Sequence, residues 1–186
     1  QMLQEDARLL VDKINSSNAE ELTKQFISYD VLNSSSHDEI VGIIFEKAIA
    51  EPQLCPILSR LCVEQVNHEL TDSKVSKFRS AMLSRVQQVF GWSDNFKQRE
   101  SEIDKTTNPS KKIDLQIDLI QDKINYRKLR LGNIVFIGHL YLNALLSLRI
   151  VHYCLLELLK ENRDEASLES AVVLLTITGA TIEREL

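Results

Sequence analysis

The sequence predicts an all-α protein built from stacked, antiparallel pairs of helices. Apolar residues recur at steps of three and four along almost the whole 186-residue chain, and no stretch sustains the period of two that is typical of strands. The chain holds only five Gly and three Pro, whereas all-β folds need many tight turns. The helices recur in units of roughly 35–45 residues, which is typical of a solenoid of about four helix pairs.

Four helix pairs follow from this spacing, and each is expected to bury its apolar stripe against the next pair. In chain order, the predicted pairs are 3–15 with 19–29, 37–50 with 53–69, 74–91 with 111–146, and 148–161 with 166–184. The turns should then cluster along the edges of a curved, right-handed stack.

Serines, acidic residues and proline mark the boundaries in the first half of the chain. Residues 34–36 are three serines, and the Asp38-Glu39 pair behind them places negative charge in a first helical turn, so a helix is predicted to start here. Glu51-Pro52 ends that helix and can begin the next, because Pro is tolerated at the first helical position. The apolar series on the two sides of this boundary are Ile40, Val41, Ile44 and Ala48, then Leu54, Ile57, Leu58, Leu61 and Cys62.

The last four helices carry apolar series that begin at Val75, Ile113, Ile150 and Leu168. Residues 71–73 (Thr-Asp-Ser) are expected to cap the first of these helices, and Asp164 or Ser167 the last. Residues 93–110 are polar, contain Pro109 and show little periodicity, which predicts a long loop.

Two glycines lie six residues apart in the longest predicted helix. Gly132 and Gly138 each cost about 1 kcal/mol relative to Ala in a helix interior, which predicts close approach of neighbouring helices; Gly132 could equally mark a kink. Asn133 beside it could hydrogen-bond backbone groups that a kink frees. Arg79 and Arg85, also six apart, are predicted to reach separate acidic partners across a junction between pairs, with RNA contact as the alternative.

Composition and motifs argue against a dedicated nucleic-acid binder, an enzyme, a metal site or a cofactor site. A dedicated nucleic-acid binder carries a surplus of Lys and Arg, whereas this chain has a formal net charge of -5. Cys55, Cys62 and Cys154 lie in apolar surroundings and are predicted to be buried, reduced thiols. The histidines lack His-Glu-x-x-His spacing, and His139 and His152 are expected in the core or a groove. No Gly-rich phosphate loop and no Gly-x-Ser-x-Gly elbow occur.

No stretch reaches the roughly 18 consecutive apolar residues that span a bilayer. The richest runs from Ile134 to Leu159 and is interrupted by His139, Asn143, Arg149 and His152. We therefore expect a soluble, intracellular protein without a membrane partner.

Four stretches, in this order and at these separations, resemble one known family. They are Ile44–Pro52, Phe78–Phe90, Leu131–Leu140 and Leu168–Gly179. In them the chain is similar to the middle domain of eukaryotic translation initiation factor 4-gamma, either the plant-like short isoform, whose Cys-Pro and Leu-Cys pairs it shares, or a divergent paralogue. The resemblance implies a HEAT-type solenoid that forms a single domain over residues 1–186 and lacks the last helix pair of the family.

The resemblance also implies a function. It indicates a non-catalytic, cytoplasmic scaffold of translation initiation that binds and stimulates a DEAD-box RNA helicase. RNA, bound weakly and non-specifically, and other initiation factors are the further partners, and no cofactor is implied. The alternative is an adaptor of the same superfamily in mRNA splicing, decay or translational repression.

By alignment with the family, one helicase lobe docks at the loop after the second helix. The predicted helicase-binding residues are Tyr29, Asp30, Val31, Glu51, Pro52 and Gln53. Tyr29 is expected to be an aromatic anchor, and the Glu51-Pro52-Gln53 turn an adjacent, acidic and rigid neighbour. The alternatives are a Tyr29 that caps the core at a helix end and a Glu51 that is only a solvated charge.

RNA contact is predicted for a basic strip on the long helix and at its start. The strip comprises Lys111, Lys112, Lys123, Arg127, Lys128 and Arg130. Lys123, Arg127 and Arg130 share one helix face, and any contacts would be made to phosphate and would weaken with added salt. The alternative is a merely solubilising surface, since the basic run of the family is thinned here.

Overall fold

The computed structural model describes residues 2–29, 36–90, 95–160 and 164–186, and every regular element in these ranges is helical. The helices are α1 (Met2–Lys13), α2 (Ala19–Ser28), α3 (His37–Ala50), α4 (Cys55–Asp72), α5 (Lys77–Phe90), α6 (Phe96–Asp104), α7 (Pro109–Leu142), α8 (Leu148–Leu158) and α9 (Glu165–Glu185). A 3-10 turn, Pro52–Leu54, joins α3 to α4. The all-α prediction is confirmed.

The helices pack in two rows around one continuous core. In the first row, α3 contacts α1 and α5; in the second, α4 contacts α2 and α7, and α7 contacts α9. Where α3 and α7 join the rows, the rings of Phe45 and Phe136 meet edge to face, with 4.9 Å between their centroids. One cluster of buried apolar side chains runs from α1 to α9, so the helix pairs share a continuous seam, as predicted.

The predicted pairing of residues 74–91 with 111–146 agrees with the structure, because α5 and α7 lie opposite each other in the two rows and contact each other, as do α1 with α2 and α3 with α4. α7 also packs on α3, α4 and α9. Its 34 residues form one helix whose buried positions are concentrated between Gly132 and Tyr141. Its first half extends away from the two rows and contacts α6 instead.

The prediction of a long loop over residues 93–110 is wrong, because this segment contains α6 and the start of α7. The ring of Phe96 packs edge to face on Tyr126 of α7 at 5.4 Å, and Arg99 forms an ion pair with Asp122 at 2.8 Å. Asn108 caps α7 by accepting hydrogen bonds from the backbone N–H groups of Ser110 and Lys111. Since α6 buries little besides Ile103, it lacks the apolar stripe that would reveal it in the sequence.

The helix starts agree with the sequence in two places and differ in a third. Asp38 lies in the first turn of α3, as predicted, and Asp164 caps α9 by accepting from the backbone N–H of Ser167 at 2.9 Å. The expected cap at residues 71–73 is wrong, because α4 continues to Asp72. The next helix instead begins behind Ser76, whose Oγ accepts from the backbone N–H of Arg79 at 3.0 Å.

A buried carboxylate fastens the turn between α4 and α5. Glu69 is fully buried and accepts hydrogen bonds from three donors. These are the Gln65 side-chain amide at 2.8 Å, the Phe78 backbone N–H at 3.1 Å and the Ser76 hydroxyl at 3.2 Å. Because each donor would otherwise be buried without a partner, Glu69 fixes the direction in which the chain enters α5.

The two glycines of α7 lie where helices approach closely, as predicted. A Cβ added at Gly132 would lie 2.8 Å from the Cα of Ile49 on α3, and one added at Gly138 would lie 2.8 Å from the Cγ2 of Ile177 on α9. α7 continues through Gly132, so close approach and not a break explains this glycine. Asn133 does not take the expected backbone hydrogen bond, because its Oδ1 is buried without a partner among the described residues.

α9 differs from the expectation that no segment could cross a membrane. By length and composition alone, it is the one helix of the described chain that could do so. Its buried positions, which include Ala171, Leu174 and Thr178, belong to a face that packs against α7 and α8, whereas Val172 and Leu175 are exposed.

Candidate partner-binding surfaces

Tyr29, the predicted aromatic anchor, directly follows α2 and is half-buried. Its ring meets Phe26 edge to face at 6.3 Å, and Phe26 packs in the same way on Phe78. Burial, followed by the negative charge of Asp6, raises the pKa of the Tyr29 phenol. Part of the ring therefore caps the core and part remains accessible. Asp30 and Val31, predicted to act with it, lie outside the described residues.

The predicted neighbouring turn, Glu51-Pro52-Gln53, is rigid and exposed. The backbone N–H of Glu51 donates to the carbonyl of Lys47 at 2.9 Å, and its own carbonyl accepts from the N–H of Leu54 at 2.9 Å. Pro52 and Gln53 face solvent. The Glu51 carboxylate forms an ion pair with Lys47, so its charge is partly neutralised within the domain.

These two candidate patches are not adjacent, contrary to the sequence prediction. The charge of Asp6 acts on the Tyr29 phenol, and Asp6 lies two residues after Gln4 on α1. Gln4 hydrogen-bonds Ser36, the residue before α3, at 3.2 Å, so Tyr29 lies near the start of α3. Glu51 follows the last residue of α3. A helix of 14 residues is about 21 Å long, and this length separates the two patches.

The predicted RNA-binding strip is spread out along α7. Lys111 and Lys112 lie in the first turn of α7, while Arg130 follows 19 residues after Lys111, a distance of about 28 Å along the axis. Lys111 and Lys128 are exposed, and Lys112 is half-buried. The six residues therefore do not form one compact basic patch.

Three members of the strip are held by partners within the domain. Lys123 forms an ion pair with Glu100 and lies 5.9 Å from the centroid of Phe96. Arg127 forms an ion pair with Glu169 of α9. Arg130 donates to the hydroxyl of Tyr126 at 2.8 Å, and its guanidinium carbon lies 5.8 Å from the centroid of that ring. These contacts compete with phosphate for the same cations.

Arg79 and Arg85 do not have the acidic partners that the sequence predicted. In the described part of the chain, neither forms an ion pair. Arg79 is exposed, whereas Arg85 is half-buried and its guanidinium lies about 4 Å from the position of a Cβ added at Gly42.

The cysteines and histidines do not form a reactive centre among the described residues. The three thiols are free and buried, as predicted, and burial raises the pKa of Cys55 and Cys154 to about 12 and that of Cys62 further. No cluster of His, Cys, Asp and Glu in the described ranges could hold a metal ion. Burial lowers the pKa of His139, which is half-buried as expected; His152 is exposed, so its predicted place in the core or a groove is wrong.

Comparison with known proteins gives a consistent result. The family model described as MIF4G domain matches residues 5–186. The chain is 29% identical to eukaryotic translation initiation factor 4 gamma 3 of Mus musculus, over 96% of this chain and 12% of that protein. It is 26% identical to eukaryotic translation initiation factor 4G of Oryza sativa subsp. japonica, over 97% of this chain and 10% of that protein. Each relative is therefore many times longer than the chain.

A solved structure is similar in fold. It is the crystal structure of the MIF4G domain of Trypanosoma cruzi translation initiation factor EIF4G5, with a TM-score of 0.68 and 18% sequence identity. The match covers 96% of this chain and 78% of that one.

Proposed function

Because this chain belongs to the MIF4G domain family, we propose that it is a scaffold domain of translation initiation that binds and stimulates a DEAD-box RNA helicase. The observation that carries the proposal is the similarity of nearly the whole chain to initiation factors of the 4-gamma type. As a MIF4G domain it is a non-catalytic scaffold. A cytoplasmic location, other initiation factors as partners, and a single domain over residues 1–186 belong to the same proposal.

The two candidate helicase patches have separate roles in this proposal. Tyr29 offers a fixed, half-exposed aromatic ring, and the Glu51-Pro52-Gln53 turn offers a rigid exposed backbone about 21 Å away, at the other end of α3. A continuous core links them, so the distance between the patches is set by the fold. We assign the two patches to different contacts with the helicase, with Asp30 and Val31 next to Tyr29.

RNA contact in this proposal is weak. Four members of the strip have no internal ion pair in the described chain, namely Lys111, Lys112, Lys128 and Arg130, whereas Lys123 and Arg127 must exchange a carboxylate partner for phosphate. Binding should be insensitive to sequence and should fall with added salt, because the contacts are made to phosphate. The salt dependence should be shallow, because few phosphates are neutralised.

The test is the RNA-dependent ATPase activity of a DEAD-box initiation helicase, measured with and without this chain. We expect the chain to raise the activity, and the Tyr29→Ala variant to require at least about tenfold more protein for the same effect, as for an aromatic anchor of an interface. Tyr153→Ala is the matched control, because Tyr153 is half-exposed on α8, outside both patches.

Two results would count against this proposal. Unchanged ATPase activity, together with no capture of the helicase by the immobilised chain, would remove the helicase as partner. Binding with lowered ATPase activity would instead favour the alternative, an adaptor of the same superfamily in splicing, decay or translational repression. Melting curves of both variants show whether the Tyr29 substitution acts through the fold.

A further inference from the structure

A cavity of about 130 Å³ opens between α3, α5 and α7. Its apolar walls are Ile49, Leu129 and the ring of Tyr126. Its polar lining consists of Arg85, Gln88, Arg130 and Asn133. Arg85 and Arg130 both line this small, partly apolar space, and the Arg85 guanidinium lies towards Gly42 in the adjoining groove. Two arginines beside an apolar space are suited to a carboxylate that is carried on a short apolar stem.

The polar groups of this cavity are incompletely used within the domain. Arg85 has no ion-pair partner among the described residues, and the nearly buried side chain of Asn133 has an Oδ1 without a hydrogen-bond partner there. Arg130 donates to the Tyr126 hydroxyl and its charge acts on Asp164, but its guanidinium has further N–H donors. A buried amide oxygen without a partner is uncommon in a folded protein; because it is an acceptor, an N–H group of a ligand, not a carboxylate, would complete its hydrogen bonding.

The cavity opens into a longer groove between α1, α3 and α5, and the two share Arg85 and Gln88. The far end of the groove is acidic, with Glu5, Asp38 and Glu39 along its sides, and Glu46 lies nearer the cavity. Arg8 pairs with Glu46 at 3.3 Å, and Gln4 hydrogen-bonds Glu39, whereas Glu5 and Asp38 have no ion pair in the described chain. The groove is therefore basic at one end and acidic at the other.

We propose that this groove binds an extended segment of a partner protein, with a Glu side chain in the cavity and Lys or Arg side chains over the acidic end. Charge complementarity is the argument, because the phosphates of an RNA strand would meet repulsion at Glu5 and Asp38. Along α3, the ten residues from Ile49 back to Glu39 correspond to about 15 Å. At about 3.3 Å per extended residue, four or five residues of the partner separate its acidic and basic side chains.

The test uses labelled, capped peptides in which four neutral residues separate one Glu from a Lys-Lys pair, made with the charges in both orders. Fluorescence anisotropy with the full chain should show binding for at least one order. Replacing the peptide Glu by Gln should weaken that binding at least about tenfold, because a charge-assisted hydrogen bond is lost.

Variants of the protein test where the peptide binds. We expect Arg85→Gln and Arg130→Gln each to lower the affinity for the Glu peptide to that for the Gln peptide. The affinity for the Gln peptide itself should not change. Arg79→Gln is the matched control, since Arg79 is exposed on the same helix as Arg85 and does not line the groove. Asp38→Asn should lower the affinity for both peptides by the same factor.

The proposal is overturned if neither order of the peptide binds, or if the Glu and Gln peptides bind equally. It is also overturned if a labelled uridine decanucleotide binds with the same dependence on Arg85 and Arg130 and displaces the peptide, because the cavity would then be a phosphate site. The assay contains no helicase, so its failure would leave the proposed scaffold function untouched. Far-ultraviolet circular dichroism confirms that each variant is folded.

Discussion

Replacement of Gly132 by Ala tests whether the close approach of α3 and α7 determines the fold. Two effects oppose each other. Ala is favoured over Gly in a helix interior by about 1 kcal/mol. The added Cβ, however, would lie 2.8 Å from the Cα of Ile49, a backbone atom that no rotamer change can move. α7 would have to shift away from α3 along a contact that includes the Phe45–Phe136 ring pair.

The size of the effect follows from these two terms. Forcing an extra methyl group into a packed core typically costs about 1–3 kcal/mol, and a clash with a backbone atom belongs in the upper part of that range, at about 2–3 kcal/mol. Helix propensity returns about 1 kcal/mol, so we expect a net loss of about 1–2 kcal/mol. For a domain of this size, each kcal/mol changes Tm by about 2–4 °C, which predicts a decrease of about 2–8 °C. Urea titration followed by circular dichroism measures the same difference as a change in the free energy of unfolding.

Gly179 provides the matched control for this substitution. It also lies in a helix, α9, but a Cβ added there would have no atom within 4 Å. Gly179→Ala should therefore raise stability by up to about 1 kcal/mol, because only the propensity term remains. If Gly132→Ala were as stable as the unmodified chain, or if both variants shifted in the same direction, the inferred contact between α3 and α7 would be wrong.

Two further predictions concern polar contacts that fix helix ends. Glu69→Ala should lower the free energy of unfolding by about 3 kcal/mol or more, because three donors lose their acceptor. Glu69→Gln should cost less in the same urea titration. Equal costs would contradict the role of Glu69 as the acceptor for these donors. Burial raises the pKa of Asp164, but the hydrogen bonds of Ser167 and the charge of Arg130 lower it to a net value below the usual range. The contribution of the ionised Asp164 carboxylate to the free energy of unfolding is therefore complete above an unfolded pKa of about 3.9. It is lost as pH falls through the folded pKa. Asp164→Ala should cost about 1 kcal/mol at neutral pH and much less near pH 2, and a gap in Tm that is independent of pH would refute this.

The sequence predicts those parts of the fold that depend on local pattern. Periodicity identifies the helices that bury an apolar stripe, and the cost of glycine in a helix correctly indicates close approach at Gly132 and Gly138. α6 escapes prediction because it is short, charged and mostly exposed, so its sequence resembles that of a loop. Its position depends on contacts with residues of α7 that lie more than 20 positions later, such as the pairing of Arg99 with Asp122.

The candidate sites show the same limit. Tyr29 and Glu51 are near in sequence, but α3 lies between them and places them about one helix length apart. Conversely, Arg85, Arg130 and Asn133 each attract attention in the sequence for separate reasons, and only packing brings them to one cavity. Side-chain charge in the sequence also overstates the basic strip, since the ion pairs of Lys123 and Arg127 come from helices α6 and α9.

The close approach at Gly132 and the cavity beside it have a common origin. Ile49 contacts the position of Gly132 and also lines the cavity, and the cavity residue Asn133 is the next residue of α7. Because the helices touch at Gly132, the longer side chains of Arg130 and Tyr126, about one and two turns before Asn133 on α7, enclose the space next to Arg85. A methyl group at Gly132 should widen this space as it separates α3 from α7. Gly132→Ala is therefore expected to lower the affinity for the Glu peptide as well as the free energy of unfolding, whereas Gly179→Ala should leave peptide binding unchanged.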